Sequence, residues 1–233
     1  ELKRSIVTQE TQLLDMYDSN HSKGFGFDCE FLFYINEEPS INDETKEFFI
    51  IDPGASGKQL AEKIRQDNLT PVAVLLTHGH FDHVRGVPGI LAEYPELPVY
   101  IHEKELCEAE AWHKQFWLPH LGANQRTYGE GDVLSLGELE IRVLHGPGQS
   151  AGSVALLAED VMIAGDTLFA GSCGRWDLPG GDGETLLQSL ARLGKLKGDY
   201  KVCPGHGGTS SLERERSNNM YMRQAMAESI PPA

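Results

Sequence analysis

The chain has 233 residues, of which 40% are hydrophobic and 24% charged, proportions that are ordinary for a globular protein with a buried core. Its 35 acidic residues outnumber its 20 basic ones, and the formal charge of -15 repels phosphate backbones, so we expect no nucleic-acid partner. No apolar run approaches the roughly 20 residues that span a bilayer, and no signal segment is visible, so we expect no membrane association. The four cysteines are far apart and form no Cys-x-x-Cys pair, which favours reduced thiols in a cytoplasmic protein.

The first part of the chain is predicted to form strands joined by a helix. An aromatic and β-branched run at 25–35 predicts a strand, and a second strand at 47–51 ends at Asp52. Ser56 is placed to cap the helix that follows. The apolar run 72–76 then predicts a buried strand that completes a strand–helix–strand unit.

The middle of the chain is less regular. A helix is predicted at 87–94, where Pro88 is tolerated near the start, and a short strand at 98–102. Residues 103–128 contain an aromatic cluster that fits either a packed core or a hydrophobic wall beside a cleft. The sequence leaves both interpretations open.

The last part of the chain returns to strands. We predict strands at 132–136, 139–144, 154–158, 161–164 and 200–203, an amphipathic helix at 186–194 closed by Gly194, and a terminal helix capped at Ser210. Strands and helices therefore fall into two similar halves that meet near residue 128. Since no linker divides them, we predict a single domain over residues 1–233, an α/β sandwich of two sheets with helices on the outside.

The densest cluster of metal-ligating residue types lies directly after the buried strand. It reads Thr77-His78-Gly79-His80-Phe81-Asp82-His83. A strand that ends in a tight turn can aim alternate side chains at one point, so His78 and His80 can share one ion. Asp82 and His83 lie further round the turn and can serve a second ion. Imidazole nitrogen and carboxylate oxygen are ligands that zinc accepts.

This run resembles the His-x-His-x-Asp-His signature of the metallo-β-lactamase superfamily. The resemblance implies the fold of that superfamily, an αββα sandwich of two mixed β-sheets. It also implies two more ligands, Asp166 in Ala-Gly-Asp-Thr as a carboxylate shared by two ions, and His206 in Cys-Pro-Gly-His-Gly. Asp52 is implied as a residue that orients the metal loop without binding metal. The implied cofactor is one or two zinc ions, with iron or manganese as alternatives.

One position departs from the family. Residues 144–153 resemble the Thr-Pro-Gly-His-Thr-x-Gly-Ser segment that carries a further histidine ligand, but the chain has Gln149 there. Glutamine ligates only through its neutral amide oxygen, a weaker donor to zinc than imidazole, so Gln149 is at most a weak ligand. We therefore expect the second metal position to be better filled than the first. It stays open whether Gln149 is natural or engineered, and whether His145 turns in to replace it.

A further run indicates the reaction. Residues 174–182, Gly-Arg-Trp-Asp-Leu-Pro-Gly-Gly-Asp, resemble the glyoxalase II group, the hydroxyacylglutathione hydrolases, which hydrolyse thioesters. The resemblance implies attack by metal-bound hydroxide on a small-molecule thioester or ester, with Asp82 orienting the nucleophile as well as binding metal. Arg175 fits either a substrate contact or a salt bridge within its own loop.

Several rival functions are weighed against this one. A lactonase or another ester hydrolase of the same fold is an alternative, and so is a member that binds metal but has lost turnover because of Gln149. A persulfide dioxygenase of this fold needs the missing histidine, and an RNA-processing nuclease needs an inserted domain and a basic face. The short segment after His206 leaves the thiol carrier open, and the oligomeric state is open as well.

Overall fold

The structure is a computed structural model that describes residues 5–8, 32–35, 46–54, 56–106, 118–137 and 139–228. Its first sheet has six strands in the order β1-β2-β3-β4-β5-β6. These are β1 (Ser5–Thr8), β2 (Leu32–Ile35), β3 (Lys46–Ile51), β4 (Leu69–Leu75), β5 (Val99–His102) and β6 (Gln125–Tyr128). The pairs from β1 to β3 are antiparallel, and those from β3 to β6 are parallel, so the sheet is mixed.

The second sheet is also six-stranded and mixed. The later strands are β7 (Val133–Leu136), β8 (Leu139–His145), β9 (Val154–Ala158), β10 (Val161–Gly165), β11 (Leu168–Phe169), β12 (Ser172–Cys173), β13 (Lys201–Pro204) and β14 (Ser210–Ser211). The sheet order is β14-β13-β10-β9-β8-β7, while β11 and β12 form a separate hairpin. Only β10 and β13 pair in parallel within the described part of this sheet.

Helices cover the outer face of each sheet. They are α1 (Gly57–Gln66), α2 (Phe81–Val84), α3 (Val87–Glu93), α4 (Gly183–Gly194), α5 (Leu212–Asn218) and α6 (Met220–Glu228), with a 3-10 turn at Gly122–Asn124. Alternation along the strands separates the layers, because successive side chains point to opposite faces. In β3, Phe49 and Ile51 face the second sheet, whereas Phe48 and Ile50 face the helices α1 and α3. The predicted sandwich with helices outside is therefore confirmed.

Two helix N-caps were predicted, and one is wrong by a residue. The Ser56 hydroxyl accepts a bond from Gln59 N at 3.5 Å, so the cap of α1 is confirmed. The cap of α5 is Ser211, whose Oγ accepts from Arg214 N at 3.2 Å, and not Ser210. Ser210 and Ser211 both belong to β14 and pair with β13. The strand therefore continues one residue beyond Ser210, and the helix begins one residue later than the capping pattern indicates. The predicted terminal helix is in fact the pair α5 and α6, which meet at Asn219.

The predicted end of α4 at Gly194 is confirmed, but Gly194 is not the capping residue. It is the last residue of the helix, and Lys195 follows as the cap. A Cβ at Gly194 would lie 2.6 Å from Met226 Sδ. Glycine therefore allows α4 and α6 to pack closely, which is a tertiary constraint that the local sequence does not contain.

Some predictions concern residues that lie outside the described segments. The start of the predicted strand at 25–35 lies outside, and so do four residues of the predicted aromatic cluster, Trp112, His113, Phe116 and Trp117, whereas His120 is described and exposed. Cys173 is a buried free thiol. Across the described segments, no helix has the length and apolar character needed to cross a bilayer.

A pair of histidines links the ends of the two sheets. His102 ends β5 and His145 ends β8, and their rings stack with centroids 4.2 Å apart and planes inclined by 13°. The His102 Nδ1 accepts from Lys104 N at 3.2 Å. Burial, together with the neighbouring His145 and Lys104, lowers the pKa of His102 from 6.5 to about 4. The folded protein therefore holds His102 as a neutral ring at neutral pH.

This pKa shift predicts an acid-sensitive contribution to stability. Between pH 6.5 and 4 the unfolded chain binds a proton at His102 that the folded chain does not bind, so acidification favours unfolding in that window. Within this window, the free energy of unfolding falls by up to about 1.4 kcal/mol for each pH unit of acidification. Replacing His102→Asn keeps an acceptor for Lys104 N and removes the titration. Urea unfolding from pH 7 to 4 should show a shallower loss of stability in the variant, and equal slopes would contradict the prediction.

Candidate metal centre

The predicted metal-site residues lie in segments that follow the carboxyl ends of five strands. Asp52 follows β3, His78 to His83 follow β4, Gln149 lies beyond β8, Asp166 follows β10, and His206 follows β13. Strands β3 and β4 are parallel, and so are β10 and β13, so each sheet delivers its loops to one edge. Ligand sites of open parallel sheets form at such edges.

The structure brings all six predicted ligands together in two groups. One contains His78, His80 and Asp166, and the other contains Asp82, His83 and His206. Within each group, one ligand atom per residue lies within 4.8 Å of the others. Asp52 joins His78 and His83 in a third, overlapping group on the buried side.

Asp166 lies between the two ligand groups. Its Oδ2 is 3.8 Å from His78 Nε2 in the first group and 3.5 Å from His206 Nε2 in the second. Its Oδ1 is 3.3 Å from His83 Nε2. The second group is closed by Asp82, whose Oδ2 is 3.3 Å from His206 Nε2. One carboxylate therefore faces both positions, as a shared ligand must.

Asp52 fixes the ring orientation of one histidine in each group. Its Oδ1 accepts from Thr77 N at 2.7 Å, and its Oδ2 accepts from Thr77 Oγ1 at 2.6 Å and from His83 Nδ1 at 3.0 Å. Because the Thr77 hydroxyl donates to Asp52, it must accept from His78 Nδ1, which lies 3.0 Å away. The Nδ1 of each ring is therefore engaged by this network, and Nε2 is turned into the site.

These donors fit a divalent cation. In the described structure, His78 Nε2, His83 Nε2 and Asp166 Oδ1 are buried and make no hydrogen bond. Buried polar atoms of this kind normally have a partner, and these atoms belong to the two ligand groups that meet at Asp166. Imidazole nitrogens combined with carboxylate oxygens form a donor set for zinc and for iron or manganese.

The charges of the site favour ionised carboxylates. Burial alone would raise the pKa of Asp166, but His83 and His206 outweigh it and hold that pKa well below its ordinary value. Burial likewise opposes the ionisation of Asp82, but the contacts with His206 and His83 keep its pKa well below the usual range. The two carboxylates thus carry negative charge to the positions where a cation would sit.

Gln149 occupies the position predicted for a weak ligand. It is buried beside the first group, with Nε2 2.5 Å from His80 Nδ1 and Oε1 3.0 Å from Ser153 Oγ. The alternative that His145 turns in is not supported by its contacts. Its Nε2 donates to Ala151 O at 3.0 Å and its ring stacks on His102, so it lies outside the ligand groups found among the described residues.

Arg175 lies in a loop near the site and pairs with its own neighbour. Its guanidinium makes two bonds to Asp177, at 2.8 and 2.7 Å, and both side chains are exposed. Burial and the neighbouring His83 lower the pKa of His80 to about 4, and the positive charge of Arg175 adds to this lowering. Arg175 is therefore close enough to act electrostatically on the first group, while its guanidinium is hydrogen-bonded to Asp177.

One buried acid at the site, Glu105, is not predicted from the sequence. Glu105 follows β5 and accepts from Gly79 N at 2.7 Å, from Ser150 Oγ at 2.6 Å and from Gly152 N at 2.7 Å. It thereby ties the loop between His78 and His80 to the Gln149 loop. The only signal in the sequence is an acid after a parallel strand, and Glu103, which is exposed, gives the same signal.

Comparison with known proteins agrees with this geometry. A family model described as the metallo-beta-lactamase superfamily matches residues 41–206. The hydroxyacylglutathione hydrolase GloC of Haemophilus influenzae is 33% identical over 192 residues, which cover 78% of this chain and 90% of that protein.

Two solved structures are also similar. The structure of TTHA1623 in a di-iron-bound form has a TM-score of 0.66 and 35% identity, and the match covers 84% of this chain and 97% of that one. The B3 metallo-beta-lactamase BLEG-1 has a TM-score of 0.69 and 30% identity, with 84% and 95% covered. The chain therefore belongs to the metallo-beta-lactamase superfamily, as a metal-dependent hydrolase with its predicted ligands gathered at one edge of the sandwich.

Proposed function

We propose that this protein hydrolyses small-molecule thioesters with one or two zinc ions bound at the two ligand groups. The observation that carries the proposal is the position of the Asp166 carboxylate, which faces both groups at 3.3 to 3.8 Å. The likeness of residues 174–182 to the glyoxalase II group and the hydroxyacylglutathione hydrolase of Haemophilus influenzae support the thioester as substrate. Iron and manganese are alternatives for the metal, and the di-iron form of TTHA1623 favours testing iron.

The divalent ions of such a site lower the pKa of a coordinated water and polarise the scissile carbonyl. The protein supplies orientation and charge. Asp82 is ionised throughout the neutral range, since its pKa is held far below 7 by His206 and His83 despite burial. A carboxylate with so low a pKa is a weak base, so its expected role is to bind metal and to hold a nucleophilic water by a hydrogen bond.

The leaving group explains why a thioester suits this site. A thiol has a pKa of about 8.5, so a thiolate departs without a strong proton donor, whereas an alkoxide or amide anion needs one. The ionised Asp82 and Asp166 do not supply that proton. A lactone or another ester remains the second substrate class, and a β-lactam belongs in the same panel because of the likeness to BLEG-1.

We also propose a cytoplasmic protein without a nucleic-acid or membrane partner. The net charge of -15 and the buried free thiol of Cys173 support this setting.

The glycine before His206 provides a test of the shared position. A Cβ on Gly205 would lie 2.3 Å from Asp166 Oδ1 and 2.6 Å from His83 Cε1. Gly205→Ala must therefore displace ligands of both groups, and we expect metal affinity and turnover to fall by about 10-fold or more. Metal content by mass spectrometry and thioester turnover are the measurements.

The matched control is Gly208→Ala, in the same loop, where an added Cβ meets no atom within 4 Å. It should bind metal and turn over substrate like the unaltered protein. Equal behaviour of the two alanine variants would show that Asp166 and His83 are not held by this close approach.

The function itself is tested by comparing the protein with Gln149→His. We expect the unaltered protein to hydrolyse a glutathione thioester and to bind its second metal equivalent weakly. The variant should bind that equivalent at least about 10-fold more tightly, because imidazole is the better zinc ligand.

The same two proteins are assayed with a lactone and a chromogenic β-lactam. Turnover confined to the lactone would replace the proposed substrate class, and metal binding without turnover in either protein would indicate a metal-binding member that is not a catalyst. No metal in either protein would overturn the proposal entirely.

A further inference from the structure

A row of hydrogen-bonding groups runs from Glu105 to Gln149 behind the first ligand group. Glu105 Oε1 is 2.6 Å from Ser150 Oγ, Ser150 Oγ is 2.6 Å from Ser153 Oγ, and Ser153 Oγ is 3.0 Å from Gln149 Oε1. All four side chains are buried. Each of these three contacts joins two oxygen atoms, so each requires one proton between them.

The row is one proton short when the Glu105 carboxylate is ionised. Ser150 and Ser153 supply one hydroxyl proton each, and the carboxylate and the amide oxygen supply none. Two protons therefore serve three contacts, and one pair of oxygens would face each other as acceptors. A buried contact of that kind is costly, so the row must gain a proton at one of its ends.

Rotation of the Gln149 amide by 180° supplies the missing proton. The two ends of an amide have the same shape, so the rotation exchanges Nε2 and Oε1 without moving other atoms. The NH₂ group then donates to Ser153, Ser153 donates to Ser150, and Ser150 donates to Glu105. The amide oxygen takes the place beside His80 Nδ1 that Nε2 had, 2.5 Å away.

A proton on Glu105 is the competing solution. Burial raises the pKa of Glu105, which favours it. Against it, the carboxylate accepts from the backbone N–H groups of Gly79 and Gly152, both at 2.7 Å, and such donors stabilise the ionised form. With a protonated Glu105 the amide keeps its nitrogen towards His80 and cannot ligate.

We propose that Ser153, held by Ser150 and Glu105, turns the amide oxygen of Gln149 towards the first metal position, where it ligates a divalent cation together with His78, His80 and Asp166. The inference rests on the proposed function only in that both need metal at this site. It makes Gln149 a working ligand, and it makes Ser153 and Glu105 positioning residues for that ligand.

The first test is the variant Gln149→Leu. Protein loaded with zinc is titrated with a competing chelator, and the release of the first and second equivalents is followed with mass-spectrometric metal analysis. If the amide oxygen ligates, the variant loses the more weakly held equivalent at least about 10-fold more readily. If the amide nitrogen instead engages His80, leucine releases that ring, and unchanged or tighter binding would overturn the proposal.

The second test uses Ser153→Ala, which removes the acceptor that orients the amide. We expect the affinity for the more weakly held zinc to fall by about 10-fold, since loss of a partner behind a ligand costs that much. If Ser153 instead donated to the amide oxygen, its removal would free the amide and raise the affinity. The two orientations thus predict changes of opposite sign, and a rise would refute the proposal.

The matched control is Ser189→Ala. Ser189 is also a buried serine, and its Oγ donates to Pro147 O at 2.6 Å, so it braces the same loop without touching the amide. A fall in affinity for Ser153→Ala but not for Ser189→Ala supports the proposal, and equal falls in both contradict it. An unaltered protein that retains only one zinc equivalent at saturating metal would contradict it as well.

Two provisions keep these results interpretable. Circular dichroism and thermal unfolding verify that each variant is folded, and the Ser153→Ala comparison decides alone if Gln149→Leu does not fold. The readout is metal binding without any substrate. A protein that binds two zinc ions as described but does not hydrolyse thioesters would refute the proposed function and leave this inference standing.

Discussion

The carboxylate of Asp52 is the constraint on which the metal centre depends. It accepts two bonds from Thr77 and one from His83, and through the Thr77 hydroxyl it also fixes His78. One buried acid therefore fixes the orientation of a ring in each ligand group. Asp52 adopts a left-handed conformation, with φ of 46°, which is unfavourable for a residue with a Cβ. The three hydrogen bonds offset that strain. The strained turn places the carboxylate where it bonds to both Thr77 and His83.

The sandwich makes this arrangement possible because each sheet contributes a different part of the ligand set. The first sheet ends in Asp52 and the histidine loop, and the second ends in Asp166 and His206. Close backbone approach joins them, with Val154 N donating to Thr77 O at 2.9 Å. Gly165 has φ of 49°, and a Cβ there would lie 2.5 Å from Thr77 Oγ1. The rigid core between the sheets thus fixes ligand distances that no single loop could hold.

The sequence predicts this fold and the ligand groups well wherever the signal is local. The spacing of His78 to His83 and the run before Asp166 place ligands at strand ends, and alternating apolar residues place the layers. Features that depend on distant partners are not predictable in this way. Ser210 and Ser211 both suit a helix cap, and only pairing of β14 with β13 selects the second. Glu105 looks like its exposed neighbour Glu103 until the fold brings Gly79 and Gly152 to it.

The same distinction applies to Gln149, whose role is decided by partners and not by its type. Exchange of a histidine for a glutamine replaces one neutral donor by another, so the charge of the ligand set, carried by Asp82 and Asp166, is unchanged. The electrostatic attraction for two divalent cations is therefore retained, and only the donor strength at one position falls. Whether the amide provides a metal ligand at all depends on which of its ends faces His80. The hydroxyl protons of Ser150 and Ser153 determine that orientation. A substitution that appears to remove a ligand can therefore leave a weaker ligand in the same place.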